Sequence, residues 1–160
     1  MRNIEFYQAS LKSEFMETYK LLGNVHEEEL NFKAKPQNKS IGEILEYILS
    51  LYNNLNLVIK NTNSSASPQK ITNQQNLNFC KFLYDTYNLT EANLSLMSDD
   101  KWFDEHINLH LDGQSFYSSS RSKIMWLFLI DITNERKKLL TNINLYRELS
   151  VQNLYLKLLS

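Results

Sequence analysis

The feature that most constrains the fold is the stretch Lys35-Pro36-Gln37-Asn38-Lys39-Ser40-Ile41-Gly42-Glu43, together with the apolar stripe that follows it. Pro36 has no amide proton, and its ring disfavours helical backbone at Lys35, so any helix before it must end there. Ser40 and Glu43 have the spacing of a capping box: the hydroxyl accepts from one orphan amide of the new helix and the carboxylate reaches back to another. Ile41, Leu45, Ile48, Tyr52, Leu55 and Ile59 then recur in steps of four and three, which predicts an amphipathic helix from Ile41 to about Lys60. Such a stripe has to be covered by other helices.

The rest of the chain supplies them. Only 3 glycines and 2 prolines occur in 160 residues, too few for the frequent turns of an all-β fold. A first helix is predicted from Glu5 to Leu22, with Phe6, Leu11, Phe15, Tyr19 and Leu22 facing inward and Gly23-Asn24 as its stop. A short acidic turn over Val25 to Leu30 holds a solvated His26. Asn61 to Gln69 is small, polar and rich in serine, and is expected to be a flexible crossover. A third helix begins near Thr72 or Asn73 and runs to about Met97 through Leu77, Cys80, Leu83, Tyr87 and Leu94; the spacing falters at Asn88-Leu89-Thr90, where a bend is expected. Ser98 to Phe103 reads as a turn.

His106 to Leu111 alternates strictly, with Ile107, Leu109 and Leu111 on one side, and predicts a short extended segment ended by Asp112-Gly113. Serines 118 to 120 offer caps for a fourth long helix from about Arg121 to Leu149, followed by a short helix or turn carrying Leu154, Tyr155, Leu158 and Leu159. The expected fold is therefore all-α, a single domain over residues 1–160. It is a four-helix bundle with one long crossover and a short extended segment before the last long helix.

Charge and cysteine content exclude several functions. Lys and Arg number 17 against 18 Asp and Glu, a net charge of -1, which gives no electrostatic footprint for nucleic acid or an anionic membrane. The one cysteine, Cys80, lies among Phe79, Phe82 and Leu83, which predicts a buried thiol and no disulfide framework. Residues 1–6 contain no apolar signal core, and the run from Ile124 to Ile130 is far short of the ~20 residues that span a bilayer. A cytoplasmic location is expected. Neither a phosphate-binding glycine loop nor a serine-elbow motif is present.

Lys35-Pro36 followed by Ser40-Ile41-Gly42-Glu43-Ile44-Leu45 resembles the Lys/Arg-Pro…Ser-Ile-Gly-Glu-Ile-Leu signature of the DinB/YfiT-like superfamily. Arg147-Glu148-Leu149-Ser150-Val151 resembles the Arg-Glu-Leu-Gly-Ile ending of that family's fourth helix, with Ser150 in place of the usual Gly. The likeness extends over nearly the whole chain. It implies a bundle that typically carries a divalent metal on three histidines, homodimers, and, in some relatives, thiol-dependent transferase activity. One of those histidines follows the first motif by two positions; the other two lie four apart on the fourth helix, often within a His-His-Arg context.

At each of those positions this chain has something else. Tyr47 stands at the first. On the fourth helix, matching Arg136 to the Arg of the His-His-Arg context puts Asp131 and Glu135 at the other two; counting back without a gap from Arg147 puts Asn134 and Lys138 there. Phe128, Ile132, Leu139, Ile143 and Tyr146 define the apolar stripe of this helix. Glu135 falls roughly 40° from the centre of that stripe and Asp131 nearer its edge, while Asn134 and Lys138 point away. The first register is preferred.

A carboxylate on a core stripe needs a partner or a raised pKa. Tyr47, Asp131 and Glu135 are therefore expected to line a remodelled polar pocket. The alternative is that Glu135 is simply solvated beside Arg136. Carboxylates suit Mg²⁺, Mn²⁺ or Ca²⁺, but a neutral phenol is a poor ligand. His106 and His110 are the one His pair; in an extended segment they sit ~13 Å apart, too far to share an ion, whereas helical backbone would bring them within reach of one. Trp126, Leu129 and Ile130 make the start of the fourth helix apolar nearly all round, which predicts a subunit contact there.

Three readings follow. The first is a protein without a cofactor, holding a small-molecule ligand or a partner at a degenerate metal site. The second is a transferase or hydrolase dependent on Ni, Zn or Mn. The third is a dimeric scaffold with no pocket, which requires Glu135 to be exposed.

Overall fold

The second helix is the axis of the fold. In the computed structural model, which describes residues 2–60, 63–66, 76–97, 99–111 and 115–160, it spans Ile41–Lys60 (α2) and lies between α3 (Asn76–Leu96) and α5 (Arg121–Leu159), with α1 (Asn3–Leu22) packed on both of those. All six residues of its predicted stripe are at most 1% exposed. Ile44, Leu49, Leu51 and Val58 are buried as well, so α2 is covered on more than one side. The helical bundle expected from the sequence is present.

Both halves of the Ser40/Glu43 capping box form: the Glu43 amide donates to Ser40 Oγ at 3.1 Å and the Ser40 amide to Glu43 Oε1 at 3.4 Å. The next two amides, which have no intrahelical partner, donate to the preceding loop, Ile41 to the Phe32 carbonyl and Gly42 to the Leu30 carbonyl at 2.8 Å. A β-carbon at position 42 would stand 3.2 Å from that same Leu30 oxygen, which is why glycine suits the motif.

α1 begins two residues before its expected start, and its inward face differs from expectation. Ile4, Tyr7, Leu11, Phe15, Thr18 and Leu22 are buried, whereas Phe6 is 58% and Tyr19 41% exposed. The period that runs through Leu11, Phe15 and Leu22 selects Tyr7 in place of its neighbour Phe6. α3 continues without a bend through Asn88-Leu89-Thr90. Its buried face is Phe79, Leu83, Tyr87, Thr90 and Leu94; the pattern falters only because one core position is a threonine, whose hydroxyl is satisfied by the Thr86 carbonyl at 2.8 Å. The predicted start of this helix, near Thr72 or Asn73, and the side chain of Leu77 lie outside the described residues, as does Asp112-Gly113. Cys80 is half-buried, and burial raises its thiol pKa.

The expected extended segment is β2 (His106–Leu111), the middle strand of a three-stranded sheet that the sequence did not reveal. β1 (Asn63–Ala66), within the stretch read as crossover, pairs parallel to it, and β3 (Ser115–Ser120) pairs antiparallel. Both flanking segments are polar, so their place comes from β2's backbone and not from any apolar pattern of their own. Within the turn expected over Ser98 to Phe103, Asp100–Phe103 is a one-turn helix (α4), capped by Asp99, whose carboxylate accepts from the Lys101 amide.

Arg121 fixes where α5 starts. It is fully buried, donating to the Val58 carbonyl at the end of α2, to the Trp102 carbonyl of α4 and to Glu105. α5 then runs 39 residues without interruption, correcting the expected end at Leu149 and separate final helix. Glycine after Leu149 would stop the helix by entering left-handed backbone; Ser150 has no such preference and propagates it.

Candidate functional site

Tyr47 lies on the outward side of α2, 37% exposed, with the Lys39 ammonium 3.7 Å from its ring centre. Facing it across the α2–α5 interface are Asp131, Glu135 and Lys138, and from β3 comes Tyr117, whose ring lies 5.7 Å from Phe128. The three residues singled out in the sequence are thus neighbours in space. Sequence reasoning missed Tyr117, because it sits on an unexpected strand, and discounted Lys138, whose helical position points away but whose long stem reaches back.

Glu135 is the centre of the group. Its carboxylate is 8% exposed, Lys138 Nζ donates to Oε1 at 2.9 Å, and Oε2 is buried without a partner among the described residues. Its neighbour Arg136 turns instead to α1, where Nε donates to Glu14 Oε1 at 2.6 Å. A solvated Glu135 neutralised by Arg136 is therefore not what forms. Nor is the exposed Glu135 that the pocketless scaffold requires.

The shifts in acidity have one physical origin, charge crowded beside a partly dry interface. Burial raises the Tyr47 phenol, and the negative charges of Asp131 and Glu135 raise it further. Tyr117 is raised by burial and by Asp131. Asp131 is itself raised by burial and then by Glu135, with Lys138 acting in the opposite direction. The hydrogen bond to Glu135 raises Lys138. The group brings together two carboxyl side chains, one amine and two phenols.

These donors do not suit the tri-histidine metal of the family that the sequence resembles. A phenol raised above its ordinary pKa is a poor ligand, and the best-buried carboxylate already carries the Lys138 ammonium. Among the described residues, no three His, Cys, Asp or Glu side chains come together. His106 and His110 sit on the exposed face of β2; His106 Nε2 is 3.0 Å from Ser118 Oγ, and His110 packs on Phe116.

The opposite side of α5 faces α1 across an open groove of about 690 Å³, lined by Ser10, Ser13, Glu14, Trp126, Asn134 and Lys137 among others. Asn134, the alternative register's candidate, is thus turned away from Tyr47. Trp126 is half-buried, with its ring against Tyr7 in an edge contact at 4.9 Å and against Phe6 at 5.9 Å. α1 therefore covers part of the apolar start of α5, while Leu127 and Ile130 stay 45% and 52% exposed.

Two solved structures share this architecture. A DinB-like protein from Bacillus cereus ATCC 10987 superposes with a TM-score of 0.74 over 89% of this chain and 91% of that one, at 12% identity. A putative member of the DinB family from Exiguobacterium sibiricum 255-15 gives 0.65 over 91% and 93%, at 14% identity. No protein-family model matches the chain, and no curated protein sequence does. The chain has the DinB-like fold.

Proposed function

We propose that the chain is a metal-independent binding protein whose site, at Tyr47, Tyr117, Asp131 and Glu135, takes a small ligand bearing a protonated amine. The observation that carries this reading is Glu135 Oε2, a buried carboxylate oxygen with no partner among the described residues, beside a second carboxylate. Burying an acceptor without a donor costs about 1–3 kcal/mol, which a ligand N–H recovers on binding. Asp131, Glu135 and Lys138 together leave one negative charge, and the free groups are mostly acceptors, so a monocationic donor complements them. Lys138 supplies the fixed positive charge that a metal supplies on a tri-histidine site.

The resemblance of the sequence at Tyr47, Asp131 and Glu135 to the family's ligand positions supports placing a site between α2 and α5. No catalytic step is assigned to it. A thermal-shift series in n-butylammonium chloride, Ni²⁺, Zn²⁺ and Mn²⁺ tests the reading. The ammonium is expected to raise the melting temperature in wild type and not in Glu135→Gln. Stabilisation by a metal that disappears in Glu135→Gln would overturn it in favour of a metal-dependent enzyme.

A further inference from the structure

The distal part of α5 has no counterpart in the bundle. Ile143 is its last buried residue, and every residue from Arg147 to Ser160 is exposed. A 39-residue helix is ~58 Å long, against ~30 Å for the 20 residues of α1 or α2, so α5 outruns the helices it packs on.

This projecting segment is not polar. Val151, Leu154, Tyr155, Leu158 and Leu159 are 60–77% exposed and recur at i, i+3, i+4, i+7 and i+8, the spacing of a buried helix face. From Leu149 to Ser160 the one charged residue is Lys157, about 130° from the centre of the stripe. Such a face, contiguous and uncovered, marks an interaction site.

We infer that the segment from Leu149 to Leu159 is a self-association helix that pairs with the same segment of a second copy. Area and charge choose this occupant. The five stripe residues expose on the order of 600 Å², so two copies together have up to ~1,200 Å² of apolar surface to bury, which reaches the lower end of specific interfaces. With Lys157 on the far side, pairing two identical segments opposes no like charges across the seam. The same scarcity of charge gives an acidic or basic partner nothing to complement, and one lysine provides little attraction to an anionic bilayer. This seam lies at the other end of α5 from the contact expected at Trp126, Leu129 and Ile130, where α1 already packs on the Trp126 ring.

Sedimentation equilibrium of the full chain from micromolar to submillimolar concentration tests this. Wild type is expected to form dimers. Leu154→Lys with Leu158→Lys should weaken them at least ~10-fold, with the bundle's circular dichroism retained, while Ile130→Lys leaves them intact. A monomeric wild type, or dimers that survive the double substitution, would overturn the inference. So would a monomer that co-sediments with phosphatidylcholine–phosphatidylglycerol vesicles, which would assign the face to a bilayer.

Discussion

Arg147 of α5 holds the buried carboxylate of Glu29 from 118 residues away, with Nε 3.2 Å from Oε2 and Nη2 3.1 Å from Oε1, and also donates to the Asn24 carbonyl. Glu29 is 1% exposed, and its carboxylate also accepts from the His26 amide at 2.9 Å. The loop it anchors continues into the Leu30 and Phe32 carbonyls that receive the first amides of α2. The two sequence motifs, about a hundred residues apart, thus support one piece of structure.

Removing the arginine leaves a carboxylate buried and short of a partner. Arg147 is itself 45% exposed, so Arg147→Ala is expected to cost about 1–3 kcal/mol in urea unfolding, the range for leaving a buried acceptor without its donor. Glu29→Gln in the Arg147→Ala background should recover part of that loss. Equal loss in the single and double variants would show that the pair contributes packing rather than charge compensation.

Asp131 works in the opposite sense. Its folded pKa is raised by burial and Glu135, so the native state binds a proton more readily than the unfolded chain, and ionisation costs stability as pH rises through that window. Asp131→Asn should therefore raise the melting temperature slightly at pH 7. Because the side chain is largely exposed, the gain is at most ~0.5 kcal/mol, and it should vanish below the ordinary carboxylate range. A variant less stable than wild type at pH 7 would contradict this electrostatic account.

Asn153→Pro separates the projecting segment from the bundle without touching the turn that holds Arg147. Proline there removes an amide from the helical ladder and clashes with the preceding turn. Because Arg147 to Ser160 are all exposed, the melting temperature should stay nearly unchanged while far-ultraviolet helicity falls. A large drop in melting temperature would mean that these residues pack on the bundle.

What the sequence revealed tracks where local chemistry and burial agree. The start of α2 was legible to the residue, since Pro36, Ser40, Gly42 and Glu43 each act within a few positions. The sheet was not, because β1 and β3 are polar and owe their conformation to pairing with β2. Thr90 hid the continuity of α3 behind a core position filled by a hydroxyl. At the site, helical geometry placed Glu135 correctly on the buried side, but Tyr117 and the reach of Lys138 depend on tertiary neighbours that no periodicity encodes. The extra length of α5 was not legible because its last residues are exposed and Ser150 gives no stop signal of the kind a glycine gives.

The most direct test of the central claim is calorimetric titration of n-butylammonium chloride into wild type and Glu135→Gln at pH 7, with metal ions removed by chelation. The account predicts one binding event in wild type, weakened at least ~10-fold by the substitution. No heat of binding in wild type, or the same affinity in both proteins, would contradict it.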